Sequence, residues 1–455
     1  MTSSQRKKAP KRRPFRWLWI SLGLTGVAIT SAAAGALLAV GLASTPLLQN
    51  PLTDEEAEVF SQDERISTGM NFRLPKLTRP VNILVTGIKV LTSDLEDPKY
   101  SSEDLGYHAL VNSFEGLSDT MLLIRFTPDD QRLTVLSLPR DTRTVVGDVG
   151  YTKLNEANRI GGPATTATAV SELLDGVGID RYVRINVQGV EKLIDALGGV
   201  TVYVPKDMKY QDDSQHLYIN LKQGEQHLTG EQAMQFLRFR YDSFGDIGRV
   251  QRQQTLMRAL QEQTLNPGTI GRLPQILSVI QSHVDTNLSV EELLALVGFA
   301  SKVDRSGVQM LMLPGDFSQP GQHELSYWLP SEKGISQLMM EYFDQRPVYS
   351  IGQEREREKD HRFLRIAIQD STDNTRAVRR LVNALSAEDY RNVHIAHDWP
   401  EPLQETRIIA QKGDRMSATL LQRQLGFGEV RTESTGILDS DITIQLGEDW
   451  MQLDF

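Results

Sequence analysis

From Trp17 to Ala43 the chain has no charged residue and is rich in Leu, Ala, Val, Ile and Gly. A run of this length spans a bilayer with some tilt, whereas a water-soluble helix of the same size needs a polar face. It therefore fixes the compartment of everything around it. Arg6, Lys7, Lys8, Lys11, Arg12, Arg13 and Arg16 precede the run; no Lys or Arg follows until Arg65, while Asp54, Glu55, Glu56 and Glu58 do. By the positive-inside rule residues 1–16 are a cytoplasmic tail, 17–43 a transmembrane helix with Trp17 and Trp19 at its interfacial belt, and the body lies outside the cell. A cleaved signal peptide is the alternative, but its apolar core would be unusually long, so the retained anchor is favoured.

Composition narrows the chemistry of that body. The 455 residues allow two or three domains with ample cores. There is no cysteine, which excludes disulfides, thiolate metal sites and cysteine nucleophiles. Net charge is −10; the basic tail holds +7 of it, so the remainder carries −17 and speaks against a general nucleic-acid binder. P-loop, His-Glu-x-x-His and Gly-x-Ser-x-Gly motifs are absent, so NTPase, zinc protease and serine hydrolase readings lack support.

The order of apolar runs predicts the architecture. Residues 44–79 read as a polar stalk. Val81 to Gly87 reads as a buried strand, and 91–116 as a long polar loop. Thr120 to Phe126 and Leu133 to Leu138, split by Thr127-Pro128-Asp129-Asp130, read as a hairpin ending in Ser137-Leu138-Pro139-Arg140-Asp141-Thr142. Lys153 to Ala157 reads as a helix start, broken at Gly161-Gly162-Pro163. Strands are expected at 182–187 and 200–204 and helices at 190–197, 246–264, 270–283 and 289–303, with Thr229 and Gln232 as a capping box opening a further helix. Alternating elements of this kind imply a layered α/β domain over 80–343, its central sheet flanked by helices. A mixed-charge linker over 344–360 leads to a small α/β domain over 361–455. His394 and His397 in that domain have helical metal-pair spacing but fall on an expected strand, where they face opposite ways.

The stretch Arg238 to Gln254 concentrates the polar chemistry. Read as extended, Arg238 and Arg240 share one face, with Leu237, Phe239 and Tyr241 on the other. After a glycine-containing turn, a helix starting near Asp246 puts Asp246, Arg249 and Gln253 in one stripe that continues into apolar Met257 and Leu260. A polar trio that runs into a core face implies a partly enclosed site. An N-cap aspartate beside solvated arginines is the bland alternative.

In order along the chain, Asn82-Ile83-Leu84 with Gly87, Ser118-Asp119-Thr120-Met121, Ser137 to Thr142, Lys153-Leu154-Asn155, Ala196 to Val200 and the Arg238–Gln254 run resemble the LytR–CpsA–Psr (LCP) family. The tail domain is similar to the LytR-type C-terminal domain often appended to it. The resemblance implies a phosphotransferase that moves a glycopolymer from a polyprenyl-pyrophosphate carrier to peptidoglycan at the cell membrane. It implies a pyrophosphate-holding role for Arg140, Arg238, Arg240 and Arg249 with support from Gln253, and Mg2+ on Asp119. Asp246 would orient Arg249 or Arg240, or accept the acceptor hydroxyl's proton.

Two departures from the family pattern stand out: Lys89 where an aspartate is common after the first strand's glycine, and Gly116-Leu117 where an arginine often precedes Asp-Thr. Lys89 would then replace part of the metal's charge and touch the pyrophosphate, or turn away while Asp94 or Asp97 completes the site. Competing readings are a polyprenyl-pyrophosphate hydrolase, a non-catalytic wall-polymer or lipid binder, and a transcriptional regulator; an anchored, acidic, external body argues against the last.

The topology yields a first prediction. A reporter that works only outside the cytoplasm, fused after Phe455, should be active, and activity from a cytoplasm-only reporter would overturn the orientation.

Overall fold

A computed structural model describes residues 51–60, 65–69, 75–89, 114–212, 217–239, 245–264, 272–319, 321–345 and 361–452. The expected membrane span, the basic tail, Arg240 and most of the linker and of the 91–116 loop lie outside the described residues. Among the described residues no helix is long and apolar enough to cross a membrane.

The larger domain is built on a six-stranded sheet. Its first three strands, β1 (Val81–Lys89), β2 (Leu117–Thr127) and β3 (Arg132–Leu138), form an antiparallel meander. Pro128, Asp129 and Asp130 make the expected β2–β3 turn, and Gln131 closes it at φ 48°. A short helix α1 (Asp54–Glu58) precedes the sheet, and a small hairpin of β4 (Arg143–Val146) and β5 (Gly150–Lys153) follows β3. The helix expected at Lys153 starts later: Lys153 ends β5, a 3-10 turn covers Leu154–Glu156, and α2 runs Ala157–Leu173. Gly161 and Gly162 break α2 as expected, Gly162 at φ +66°, a conformation that favours glycine.

Strand β6 (Arg181–Asn186) joins β1 in parallel, and Asn186 caps α3 (Val187–Leu197) by accepting from Gly189 N at 2.7 Å. The positive φ of Gly198 and Gly199 then turns the chain into β7 (Val200–Val204). Next come a hairpin that sequence reading did not anticipate, β8 (Met208–Asp212) and β9 (Leu217–Leu221), and β10 (Gly224–Leu228), which pairs with β7. The Thr229–Gln232 capping box opens α4 (Gly230–Arg238), and α5 (Gly245–Thr264) follows. Beyond them lie α6 (Leu273–His283), β11 (Val284–Thr286), α7 (Val290–Ala300), β12 (Val308–Met312), the pair β13 (Gly315–Phe317) and β14 (Trp328–Pro330), and α8 (Glu332–Tyr342). Sheet order is β11-β6-β1-β2-β3-β12.

Period-2 alternation sends the strands' side chains to two cores. Leu84, Met121, Leu123, Leu136 and Leu138 pack with Ala164, Ala167 and Val170 of α2 and Ile335, Leu338 and Met339 of α8. On the other face, Ile83 and Phe126 meet Leu296 of α7, while Leu122 and Val135 meet Met257 of α5. A satellite core joins β7, β8 and β9 to α4 and α5. The result is a mixed α/β fold with helices on both faces of a central sheet.

The C-terminal domain has a five-stranded sheet in the order β16-β15-β19-β17-β18, from β15 (Arg365–Asp370), β16 (Asn392–Ile395), β17 (Arg407–Ala410), β18 (Glu429–Thr432) and β19 (Ile442–Leu446). Both of its helices, α9 (Thr375–Ala387) and α10 (Arg415–Leu425), pack through Leu381, Leu385, Leu421 and Leu425 on the same core. Trp450 closes that core, stacked on Phe427 and donating Nε1 to Ala377 O at 2.9 Å. His394 lies on β16, and the His397 ring faces the Gln369 amide at 3.1 Å.

Candidate active site

Antiparallel pairing of β2 with β3 sets Met121 opposite Leu138, so the start of β2 lies beside the chain leaving β3. Two motifs twenty-one residues apart thereby meet. The Arg140 guanidinium donates Nη1 to Asp119 Oδ1 at 2.9 Å. Its Nε lies 3.5 Å from Asp141 Oδ2, an ion-pair distance rather than a good hydrogen bond. Lys153 Nζ reaches Asp141 Oδ1 at 2.8 Å. The four side chains form a line of alternating charge, Asp119–Arg140–Asp141–Lys153, each between 16% and 26% exposed. They are open enough to meet a ligand and closed enough that water screens them less than on a free surface.

Backbone bonds fix this line. Thr142 N and Oγ1 both donate to Pro139 O, at 3.0 and 2.6 Å, closing a tight turn around Arg140. Asn155 N donates to Arg140 O, Leu154 N to Thr142 O and Trp328 N to Asp141 O. The Lys153-Leu154-Asn155 motif thus acts as a clamp on the Arg140 turn. Lys153 did not stand out from the sequence as a site residue; its signal was only the proximity of its motif to Asp141, which a hairpin brings together.

The residue after Asp119 is held from helix α5. Gln253, on α5, donates Nε2 to Thr120 Oγ1 at 2.8 Å. Asp246 and Arg249 stand in the first turns of α5 on the same side as Gln253 by helical period, with Asp246 inside the helix rather than at its cap. Further along that stripe Met257 and Leu260 pack into apolar clusters, as the sequence implied. Arg238 differs from expectation. It ends helix α4 instead of starting an extended segment, and Phe239, the extended C-cap, is buried in the satellite core. Arg252 donates to Phe239 O at 2.5 Å, pinning α5 to the residue just before Arg240. Lys89 is the last residue of β1, paired with Leu117.

A second ion pair is buried. Arg184 donates Nε and Nη2 to Asp285 Oδ2 at 2.8 and 2.5 Å and Nη1 to Asn158 Oδ1 at 3.3 Å. Asn158 in turn donates to the carbonyls of Phe114 and Gly116, both at 2.8 Å. The set holds the entry to β2 and is structural; removing one partner of such a buried pair costs about 3–5 kcal/mol. Burial and the neighbouring Asp285 push the Tyr182 hydroxyl well above the usual phenol range.

Among the described residues no three His, Cys, Asp or Glu side chains gather into a metal cage. A single carboxylate held by Arg140, as at Asp119, would suit only an ion such as Mg2+ that keeps most of its hydration shell.

The family model described as the LytR_cpsA_psr family matches residues 49–343, and the one described as the LytR cell envelope-related transcriptional attenuator matches 364–450. The chain belongs to the LytR_cpsA_psr family, and its class of enzyme is that of its relatives, the transferases. It is 31% identical over 248 residues to the polyisoprenyl-teichoic acid–peptidoglycan teichoic acid transferase TagV of Bacillus subtilis (strain 168), covering 52% of this chain and 63% of that relative. It is 27% identical over 317 residues to the TagU enzyme of the same description from Bacillus cereus (strain ATCC 14579), covering 69% of this chain and 91% of that relative. The crystal structure of B. subtilis TagV superposes with a TM-score of 0.48 at 28% identity, over 59% of this chain and 99% of that one.

The guanidinium geometry carries a prediction. Arg140→Lys keeps the charge but not the planar two-point contact, so affinity for inorganic pyrophosphate should fall about tenfold, or ~1.4 kcal/mol, with thermal stability unchanged. Calorimetric titration giving wild-type affinity would remove Arg140 from the list of ligands.

Proposed function

We propose that the protein is a membrane-anchored phosphotransferase that moves a glycopolymer from a polyprenyl-pyrophosphate carrier to a peptidoglycan hydroxyl. The observation that carries this reading is the Arg140–Asp119 contact at the start of β2. It supplies a fixed guanidinium beside a carboxylate, which suits a pyrophosphate and its hydrated cation.

In the proposed reaction the acceptor oxygen attacks the phosphorus that bears the glycan. A new phosphodiester forms, the bridging P–O bond breaks, and polyprenyl monophosphate leaves with the bridging oxygen. The acceptor's proton passes to a carboxylate, which we assign to Asp246 on α5. Arg140, Arg238, Arg240 and Arg249 hold the phosphate oxygens and stabilise the charge that builds on the leaving group. Gln253 fixes Thr120, the residue after Asp119. Bound Mg2+, held by Asp119, would supply charge neutralisation. Lys89, at the end of β1 beside this edge of the sheet, adds positive charge that lessens dependence on the metal. The uncharged stretch 17–43 keeps the site close to the lipid carrier on the outer side of the cell membrane.

Incubation of the purified protein with a labelled polyprenyl-pyrophosphate glycan and peptidoglycan should yield labelled peptidoglycan. Arg249→Ala should lower the rate at least a hundredfold while leaving melting unchanged. Release of polyprenyl monophosphate at the same rate without acceptor would instead mark a hydrolase.

A further inference from the structure

Helix α5 carries a second polar face that the reaction does not use. At roughly 100° per residue, Gln251, Gln254 and Arg258 share one side of the helix, and Gln253 lies about 200° away from Gln251. All three reach into the C-terminal domain at the loop following β18. Gln251 Nε2 donates to Thr435 O at 3.1 Å and to Gly436 O at 2.9 Å. Gln254 Oε1 accepts from Ser434 N at 3.0 Å. The Arg258 guanidinium is ion-paired with Glu433, whose side chain is 1% exposed. A fully buried carboxylate is costly unless paired, so this domain contact is specific rather than incidental.

The same loop joins the two sheets. Met310 of β12, the edge of the six-stranded sheet, makes a parallel bridge with Glu433, which directly follows β18, the edge of the five-stranded sheet. The Tyr342 hydroxyl at the end of α8 donates to Gly413 O, a second point of attachment. Helix α5 is thereby gripped on one side by the C-terminal domain while Gln253 on its other side holds Thr120.

We infer that the C-terminal domain is a positioning device for the active site: Glu433 and the Ser434–Gly436 backbone hold α5 so that Gln253 keeps its place on Thr120, the residue after Asp119. Glu433, Gln251, Gln254 and Arg258 are positioning residues; none touches the reacting groups. This rests on the transferase reading above for its kinetic readout, but its mechanical content does not. A shift of α5 of about 1 Å is enough to cost on the order of a hundredfold in rate, so a partial loosening should cost on the order of tenfold.

The test uses the full-length protein carrying Glu433→Gln with Gln251→Ala, alone and combined with Gln253→Ala. The expected result, assayed below the variant's lowered melting temperature, is a kcat about tenfold lower with KM for the lipid donor little changed. That factor should shrink when Gln253 is already Ala, because the positioned group is gone. An unchanged kcat, or the same factor lost in both backgrounds, overturns the inference. Should the double variant not fold, Gln251→Ala alone, at a half-buried position, goes through the same comparison. Should wild-type protein transfer nothing to peptidoglycan, the transferase reading fails by itself. Hydrogen exchange then decides: faster exchange of the amides of 249–256 in the variant, with β2 unchanged, supports positioning, and unchanged exchange in α5 overturns it.

Discussion

The register of the β2–β3 hairpin is the constraint on which the site depends. Pairing Met121 with Leu138 puts the residues just outside the ladder, Asp119 and Arg140, within 2.9 Å. A one-residue slip would turn both to opposite faces and exchange the two apolar cores, so the burial that stabilises the sheet also specifies the charge contact. The hairpin turn, Pro128 to Gln131, is far from the chemistry yet sets it, because turn length fixes register.

Helix α5 is the second shared element. Its sides are divided between the satellite core through Leu256 and Leu260, the central sheet through Met257, Thr120 through Gln253 and the C-terminal domain through Gln251, Gln254 and Arg258. A helix contacted all round has little freedom to tilt. That suits an element whose first turns carry Asp246 and Arg249, since electrostatic stabilisation of a developing charge works best when donors need no reorganisation.

Much of this was legible in the sequence for physical reasons that can be named. The strands of the central meander are rich in apolar residues because helices cover both faces, and Thr229–Gln232 announced α4 through its reciprocal cap. The Asp246–Arg249–Gln253 stripe was readable because helical period alone puts those positions together. Other features were not. Arg-Phe-Arg-Tyr at 238–241 alternates like a strand, but Ala233 and Phe236 bury the inner face of α4, and the helix carries Arg238 with it. The β8–β9 hairpin and β18 are short and polar on their outer faces, so they resemble loops. Lys153 looked like a helix start because its role comes from Asp141, twelve residues away and reachable only once the β4–β5 hairpin forms. The docking face of α5 reads as a solvated polar stripe, since its partners at 433–436 are largely backbone groups that no side-chain pattern reveals.

What unites these features is the Asp119–Arg140 edge, which the proposed reading makes the seat of a lipid-borne pyrophosphate. Mass spectrometry of small molecules released from the protein purified out of membranes tests that idea most directly. Wild-type protein should carry a polyprenyl phosphate or pyrophosphate, and Arg140→Ala should carry little or none at equal folded yield. A wild-type protein free of such lipid, or an Arg140→Ala variant as loaded as wild type, would contradict it.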